Sequence, residues 1–306
     1  MLLTTRARTA LRAYSGWVGP DLCHHLAMAT SSGHPVGVFD SGVGGLTVLH
    51  ELLVSLPSED YLYLGDNARL PYGNRTPEEV QRFAIEDTDE LLDASAKLIV
   101  VACNTASSVA IGAIERHLKR LGRDPDVIGA VSAATQMAVA GSRNGRIGLL
   151  ATPATVASGA YERAVLAADP HVHLESVACG DLALSIEGGF PFDHHVVDAV
   201  REYCAPLRAA TVDTVILGCT HYPLVAPMIQ RMLGRGVALV TSGAGIARSV
   251  ERALASRGLL NPSAGEGSYR FRCTGDVESF RSVGTRFLQM PLGEVVRAEL
   301  GTEVAA

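Results

Sequence analysis

None of the six cysteines, at 23, 103, 179, 204, 219 and 273, forms a Cys-x-x-Cys pair. That spacing argues against a zinc site and against a disulfide framework, so free thiols in a reducing, cytoplasmic setting are expected. Charge is scarce as well: charged residues make up 19% of the 306, and the formal net charge is −6. The basic footprint of a dedicated nucleic-acid binder is missing. No apolar run reaches the ~18 residues of a membrane span, so no membrane partner is expected. Acids are absent before Asp21, while Arg6, Arg8 and Arg12 precede it. With no clear apolar core region or small-residue cleavage site, this stretch is not expected to be a secretory signal. Residues 1–35 are expected to be an extension outside the fold, either a disordered tail or a misassigned start with Met28 as the true one. An organellar transit peptide is the weaker reading.

What is abundant is apolar: hydrophobic residues reach 47%, enough for large buried sheets. One pattern occurs twice. Leu98-Ile-Val-Val-Ala-Cys103-Asn104-Thr105 has a twin, Thr214-Val-Ile-Leu-Gly-Cys219-Thr220-His221, 116 positions later. Each is an aliphatic run of the kind that forms a strand buried on both faces of a parallel sheet. Each then delivers a cysteine to the strand's carboxyl end, where open α/β sheets bind ligands. A lone cysteine in that place is more often core packing. Duplication with polar neighbours both times points instead to two matched thiols.

The surrounding elements repeat in the same order. Val36–Phe39 opens as a strand and runs into Asp40-Ser41-Gly42-Val43-Gly44-Gly45 and a helix; Arg146–Leu150 opens likewise, with Thr152-Pro-Ala-Thr155 in the turn. Tyr61–Leu64 matches Val172–Ala178, and the helix from Thr76 matches the one from Asp193. Later signals are a strand at Val237–Val240 and helices at Gly245–Leu254 and Val277–Phe287. The expected fold is therefore α/β: two similar doubly wound parallel-sheet domains related by pseudo-two-fold symmetry, with the active site in the cleft between them. The expected division is 36–129 plus 227–306 for the first domain and 130–226 for the second.

A ligand held between two thiols can lose a proton from one face of a carbon and regain one from the other, which inverts that centre. The carbanion formed on the way needs donors at the neighbouring carboxylate. Ser41, Asn104, Thr105 and Thr220, with the backbone N–H groups of Gly42 and Gly73, are available. Asp40 would modulate Cys103, and His221 would modulate Cys219. Taken alone, Asp40 reads equally well as a turn cap and His221 as a structural histidine; the duplicated setting favours the functional reading. Asp66 and Glu187 read more simply as solvated loop acids. Two rivals are weaker. Gly42-x-Gly44 resembles a dinucleotide fingerprint, but Thr47 stands where its third glycine belongs. A reversible disulfide between the two thiols would leave Asp40, His221 and the donors without a role.

Four segments carry a family resemblance: Gly37–Val48 (GVFDSGVGGLTV), Leu64–Gly73 (LGDNARLPYG), Val101–Ala106 (VACNTA) and Leu217–Leu224 (LGCTHYPL). Together they resemble the signature segments of bacterial glutamate racemases, over about 36–288. The resemblance implies interconversion of L- and D-glutamate without cofactor or metal, supplying D-glutamate for peptidoglycan. It also implies a homodimer, and DNA gyrase as a secondary partner of some members. By the same resemblance Cys103 takes the proton from D-glutamate and Cys219 from L-glutamate, with Asp40, Asp66, Glu187 and His221 assisting. Ser41, Pro71, Tyr72, Gly73, Asn104, Thr105, Thr152, Thr155 and Thr220 fall in its substrate-binding segments. The chain departs from the pattern at Ser132-Ala133-Ala134, Gly180-Asp181 and Thr241-Ser242, away from both thiols.

Overall fold

The computed structural model describes residues 32–189 and 193–300. Among these residues ten strands form two sheets, and every strand pairing within them is parallel. In chain order the strands are β1 (Val36–Asp40), β2 (Tyr61–Gly65), β3 (Leu98–Val101), β4 (Asp126–Gly129), β5 (Arg146–Ala151), β6 (His173–Ala178), β7 (Thr214–Gly218), β8 (Ala238–Thr241), β9 (Tyr269–Cys273) and β10 (Val295–Arg297). The first sheet runs β10-β9-β2-β1-β3-β4 and the second β6-β5-β7-β8.

The repeat is visible in these orders. Strands β2-β1-β3-β4 and β6-β5-β7-β8 follow the same sequence of places, so β1 answers β5 and β3 answers β7. Strands β1, β3 and β7 are buried along their whole length, as their aliphatic runs require. Each buried Val, Ile or Leu contributes about 1.5–3 kcal/mol. In each half the order reverses beside the central strand, and the crevice at such a switch point lies at the strands' carboxyl ends. Asp40 and Cys103 lie at that edge of the first sheet, Thr152 and Cys219 at that of the second.

Two of the expected boundaries need correction. Strand β8 pairs with β7, so the chain does not return to the first sheet at 227; it returns at β9, which pairs with β2. The reason is the repeat itself, in which β8 is the counterpart of β4. The extension was also drawn too long. Ser32 is buried and its carbonyl accepts from Lys97 Nζ, while the Pro35 carbonyl accepts from Lys97 N at 2.9 Å. The rest of the expected extension, residues 1–31, lies outside the described residues. So do residues 301–306 of the expected first domain.

The expected helix starts hold. Thr76 caps the helix Pro77–Asp93 in a full capping box with Glu79, Asp193 caps His194–Ala209, and Asp276 caps Val277–Leu288. The helix Ser242–Arg257 packs on both Leu46–Ser55 and Ala130–Gly141, joining the halves behind the cleft.

Candidate active site

The loop after β1 touches the opposite half at Gly44. A Cβ there would stand 2.3 Å from Thr220 Oγ1 and 2.6 Å from the His221 ring, so only glycine permits the approach. Thr47 Oγ1 donates to the Thr220 carbonyl at 3.0 Å, and Thr220 Oγ1 donates to Asp40 Oδ1 at 3.3 Å. Beside this junction lies a cavity of about 50 Å³ whose lining comes from both halves.

Cys103 is the cap residue of the helix Asn104–Val109. Its Sγ accepts from Ala106 N at 3.5 Å and donates to Ser41 Oγ at 3.7 Å. A helix N-terminus favours a thiolate. Here it is outweighed: burial, and then the Asp40 charge, push the thiol up to about 12. Cys219 has a different neighbourhood. Its Sγ is 3.8 Å from His221 Nδ1, and His221 Nε2 is 2.8 Å from Glu187 Oε2. The Nε2–H donates to the carboxylate, which leaves Nδ1 to the sulfur. Burial pulls the His221 pKa down, but the contacts with Cys219 and Glu187 outweigh it and raise it to about 10. The ring also meets the edge of Phe287, with centroids 5.0 Å apart.

Asp40 is fully buried and does not line the cavity. Its two oxygens accept from Gly42 N at 3.0 Å and from Thr220, and burial raises its pKa against the pull of His221. Its reach to Cys103 is thus through its field rather than a bond. Asp66 is not the solvated acid its loop suggested. It is buried behind Tyr72, accepting from Tyr72 Oη at 2.5 Å, Thr274 Oγ1 at 2.7 Å and Arg69 Nε at 2.5 Å. Glu187 is four-fifths buried and does line the cavity, so it too is more than a loop acid.

Of the expected binding residues, Ser41, Pro71, Tyr72, Gly73, Asn104, Thr105, Thr152 and Thr220 line the cavity. Thr155 stands behind it, bonded to Thr152 Oγ1 at 2.9 Å and Thr105 Oγ1 at 3.3 Å. Asn104 is the most telling. Tyr161 Oη donates to its Oδ1 at 2.6 Å and Ser242 Oγ at 3.3 Å, which fixes the amide's orientation. Its Nδ2 is buried with no partner among the described residues, an unspent donor on a cleft residue. Sequence reading missed Tyr161 and Ser242, and also the lining residues Leu70, Asn74, Asp181 and Leu184. Asp181 and Ser242 stand out in the sequence only as departures from the family pattern, and Leu70 only as part of a family segment.

Fold and site together define a class: paired α/β units with matched thiols on one small cavity. The comparisons narrow it. Residues 46–266 match the model of the Asp/Glu/hydantoin racemase family. A curated glutamate racemase from Parafrankia sp. is 46% identical over 259 residues, covering 84% of this chain and 91% of the relative. The chain belongs to the Asp/Glu/hydantoin racemase family. Among solved structures, a glutamate racemase from Bacillus anthracis superposes with a TM-score of 0.82 at 36% identity, covering 87% of this chain and 98% of that one. One from Francisella tularensis, in complex with D-glutamate, gives 0.80 at 33% identity over 88% and 98%.

Proposed function

We propose that the protein interconverts L- and D-glutamate by a two-thiol proton transfer, and so supplies D-glutamate for peptidoglycan in the cytoplasm. The observation that carries the mechanism is the pair of cysteines, each at the carboxyl end of a corresponding strand, on one cavity. The substrate is argued from the relatives, which bear the name glutamate racemase.

In the L-to-D direction the Cys219 thiolate takes the Cα proton and becomes a thiol. The electron pair is held as the enediolate of the substrate's α-carboxylate. Cys103 then gives its thiol proton to the opposite face and is left as thiolate. The reverse reaction exchanges the roles. His221, oriented by Glu187, stabilises the Cys219 thiolate as its imidazolium. Asn104 Nδ2 is the donor best suited to the developing enediolate, since no group among the described residues competes for it. The working division of the chain in this reading is 32–129 with the return from β9, against 130–241, and the active form is a homodimer.

The test is an assay of purified protein on L-Glu, D-Glu, L-Asp and D-Asp, with no cofactor added. Racemisation of glutamate well above aspartate is expected. In deuterated water the product enantiomer should carry solvent deuterium at Cα. Faster turnover of aspartate would overturn the substrate, and product retaining its original hydrogen would overturn the pair of bases.

A further inference from the structure

The helix Pro77–Asp93 carries a carboxylate that the reaction above does not use. Asp87 is fully buried, and its Oδ2 is 2.9 Å from Tyr72 Oη. The same hydroxyl is 2.5 Å from Asp66 Oδ2. A phenol has one proton to donate, so it cannot serve two carboxylate oxygens at once. With both acids ionised, one of these contacts would set a lone pair against a buried anion. A second proton on the network removes the conflict.

Its place follows from counting donors. Asp66 receives Arg69 Nε, Thr274 Oγ1 and Tyr72 Oη, all within 2.7 Å, as an ionised carboxylate requires. Once the Tyr72 proton is spent on Asp66, Asp87 receives, among the described residues, only Arg69 Nη2, at 3.3 Å. Among the described residues, the charged groups against Asp87 are Asp66 and Arg69 from the loop after β2 and Glu86 on its own helix. On the neighbouring helix Ile111–Leu121, His117 is taken by Asp89 at 2.7 Å. Arg69 also pairs with Glu86, so a single guanidinium faces three acids. Neutralising Asp87 leaves two.

We propose that Asp87 is a positioning residue of the cleft: it keeps its proton in the folded protein and donates it to Tyr72 Oη, which donates in turn to Asp66. Tyr72 lines the cavity, and this chain of donors fixes its ring where the substrate packs. Burial pushes the Asp87 pKa well up, in the same sense. Asp87 does not touch the reacting atoms; it acts through Tyr72. The kinetic part of the proposal rests on reading this cavity as the glutamate site, while the protonation part does not.

The test has two arms. Infrared spectra of wild type and Asp87→Asn should differ by one protonated-carboxyl carbonyl band, present in wild type and lost in the variant. Absence of that band overturns the proposal whatever the enzyme's activity. In kinetics, Asp87→Asn keeps a donor for Tyr72 and an acceptor for Arg69, so KM should stay within about twofold of wild type. Asp87→Leu removes both, and KM for glutamate should rise about tenfold with kcat changed less. If the leucine variant fails to fold, Tyr72→Phe takes its place: it should raise KM similarly and shift the carboxyl band. A leucine or phenylalanine variant with unaltered KM, or an asparagine variant as impaired as leucine, would sink the positioning role.

Discussion

The two walls of the cleft begin from the same strand and end in different chemistry. On the β3 wall Cys103 caps a helix and faces a buried carboxylate, Asp40, that bonds to neither its sulfur nor its proton. On the β7 wall Cys219 is followed not by a helix start but by a tight turn that brings His221 back to the sulfur, with Glu187 behind it. Duplication supplied the positions of the thiols; the residues after them set how each thiolate is stabilised. One wall offers backbone N–H groups against an unfavourable charge, the other an imidazolium. In the proposed reaction this inequality is tolerable, because each thiol would serve as base in one direction and acid in the other.

The largest expected effect tests what the walls share. Cys103→Ala and Cys219→Ala should each cut racemisation in both directions by about 10³-fold or more, since either change removes one of two acid–base groups. Unchanged far-ultraviolet circular dichroism would show that the fold survives. A variant retaining a tenth of the wild-type rate in either direction would mean that one thiol suffices.

A smaller effect tests how the walls differ. His221→Asn removes the partner in contact with Cys219, and a loss of about tenfold corresponds to ~1.4 kcal/mol of transition-state stabilisation. Asp40→Asn touches no bond to Cys103 and takes away a charge that opposes its thiolate, so the rate should stay within about threefold of wild type, under ~1 kcal/mol. Neither can favour one direction in kcat/KM, because the equilibrium constant between enantiomers is one. The asymmetry must appear in which proton transfer limits the rate. For His221→Asn the α-deuterium isotope effect should rise more with L-glutamate as substrate; for Asp40→Asn, which eases the Cys103 thiolate, it should not rise with D-glutamate. Equal rises in both directions for both variants would show that the helpers act on the substrate and not on separate thiols.

Much of this comparison was legible in the residues. The aliphatic runs ending in Cys103 and Cys219 gave strands at the right sheet edges, because a doubly buried parallel strand leaves little choice of side chain. The caps Thr76, Asp193 and Asp276 marked helix starts through their own hydrogen bonds. Strand β9 was missed because Tyr269-Arg-Phe-Arg-Cys273 alternates arginine with apolar residues and lacks the continuous run of its neighbours. Strand β10 is too short to carry a pattern, and the helix Ala130–Gly141 starts at Gly129 with no capping side chain. At the site, local reading placed the residues on the strand ends but not those that reach in from elsewhere. Tyr161 and Ser242 hold Asn104 from 57 and 138 positions away. Asp66 looked like a loop acid because its partners Tyr72 and Thr274 are brought to it only by the fold.

The smallest effect separates the walls by pH. His221 has a folded pKa raised to about 10 from an ordinary value near 6.5, through Cys219 and Glu187 and against burial. Between those values the folded protein holds a proton that the unfolded chain has released, so stability falls as pH rises. This contribution is complete below the unfolded value and gone once pH passes about 10. Cys103, raised to about 12 by burial and Asp40, also holds its proton longer when folded, but its window opens only above the ordinary thiol value. Between pH 7 and 8.5 the β7 wall therefore adds a slope that the Cys103 thiol does not, on top of that from the protonated Asp87. Urea midpoints across that range should fall with pH in wild type and in Cys103→Ala, and fall less steeply in His221→Asn. If His221→Asn keeps the wild-type slope, the imidazolium is absent from the empty site. Cys219 would then lack the partner that distinguishes its wall, and the difference between the two sides would have to be sought in the substrate complex.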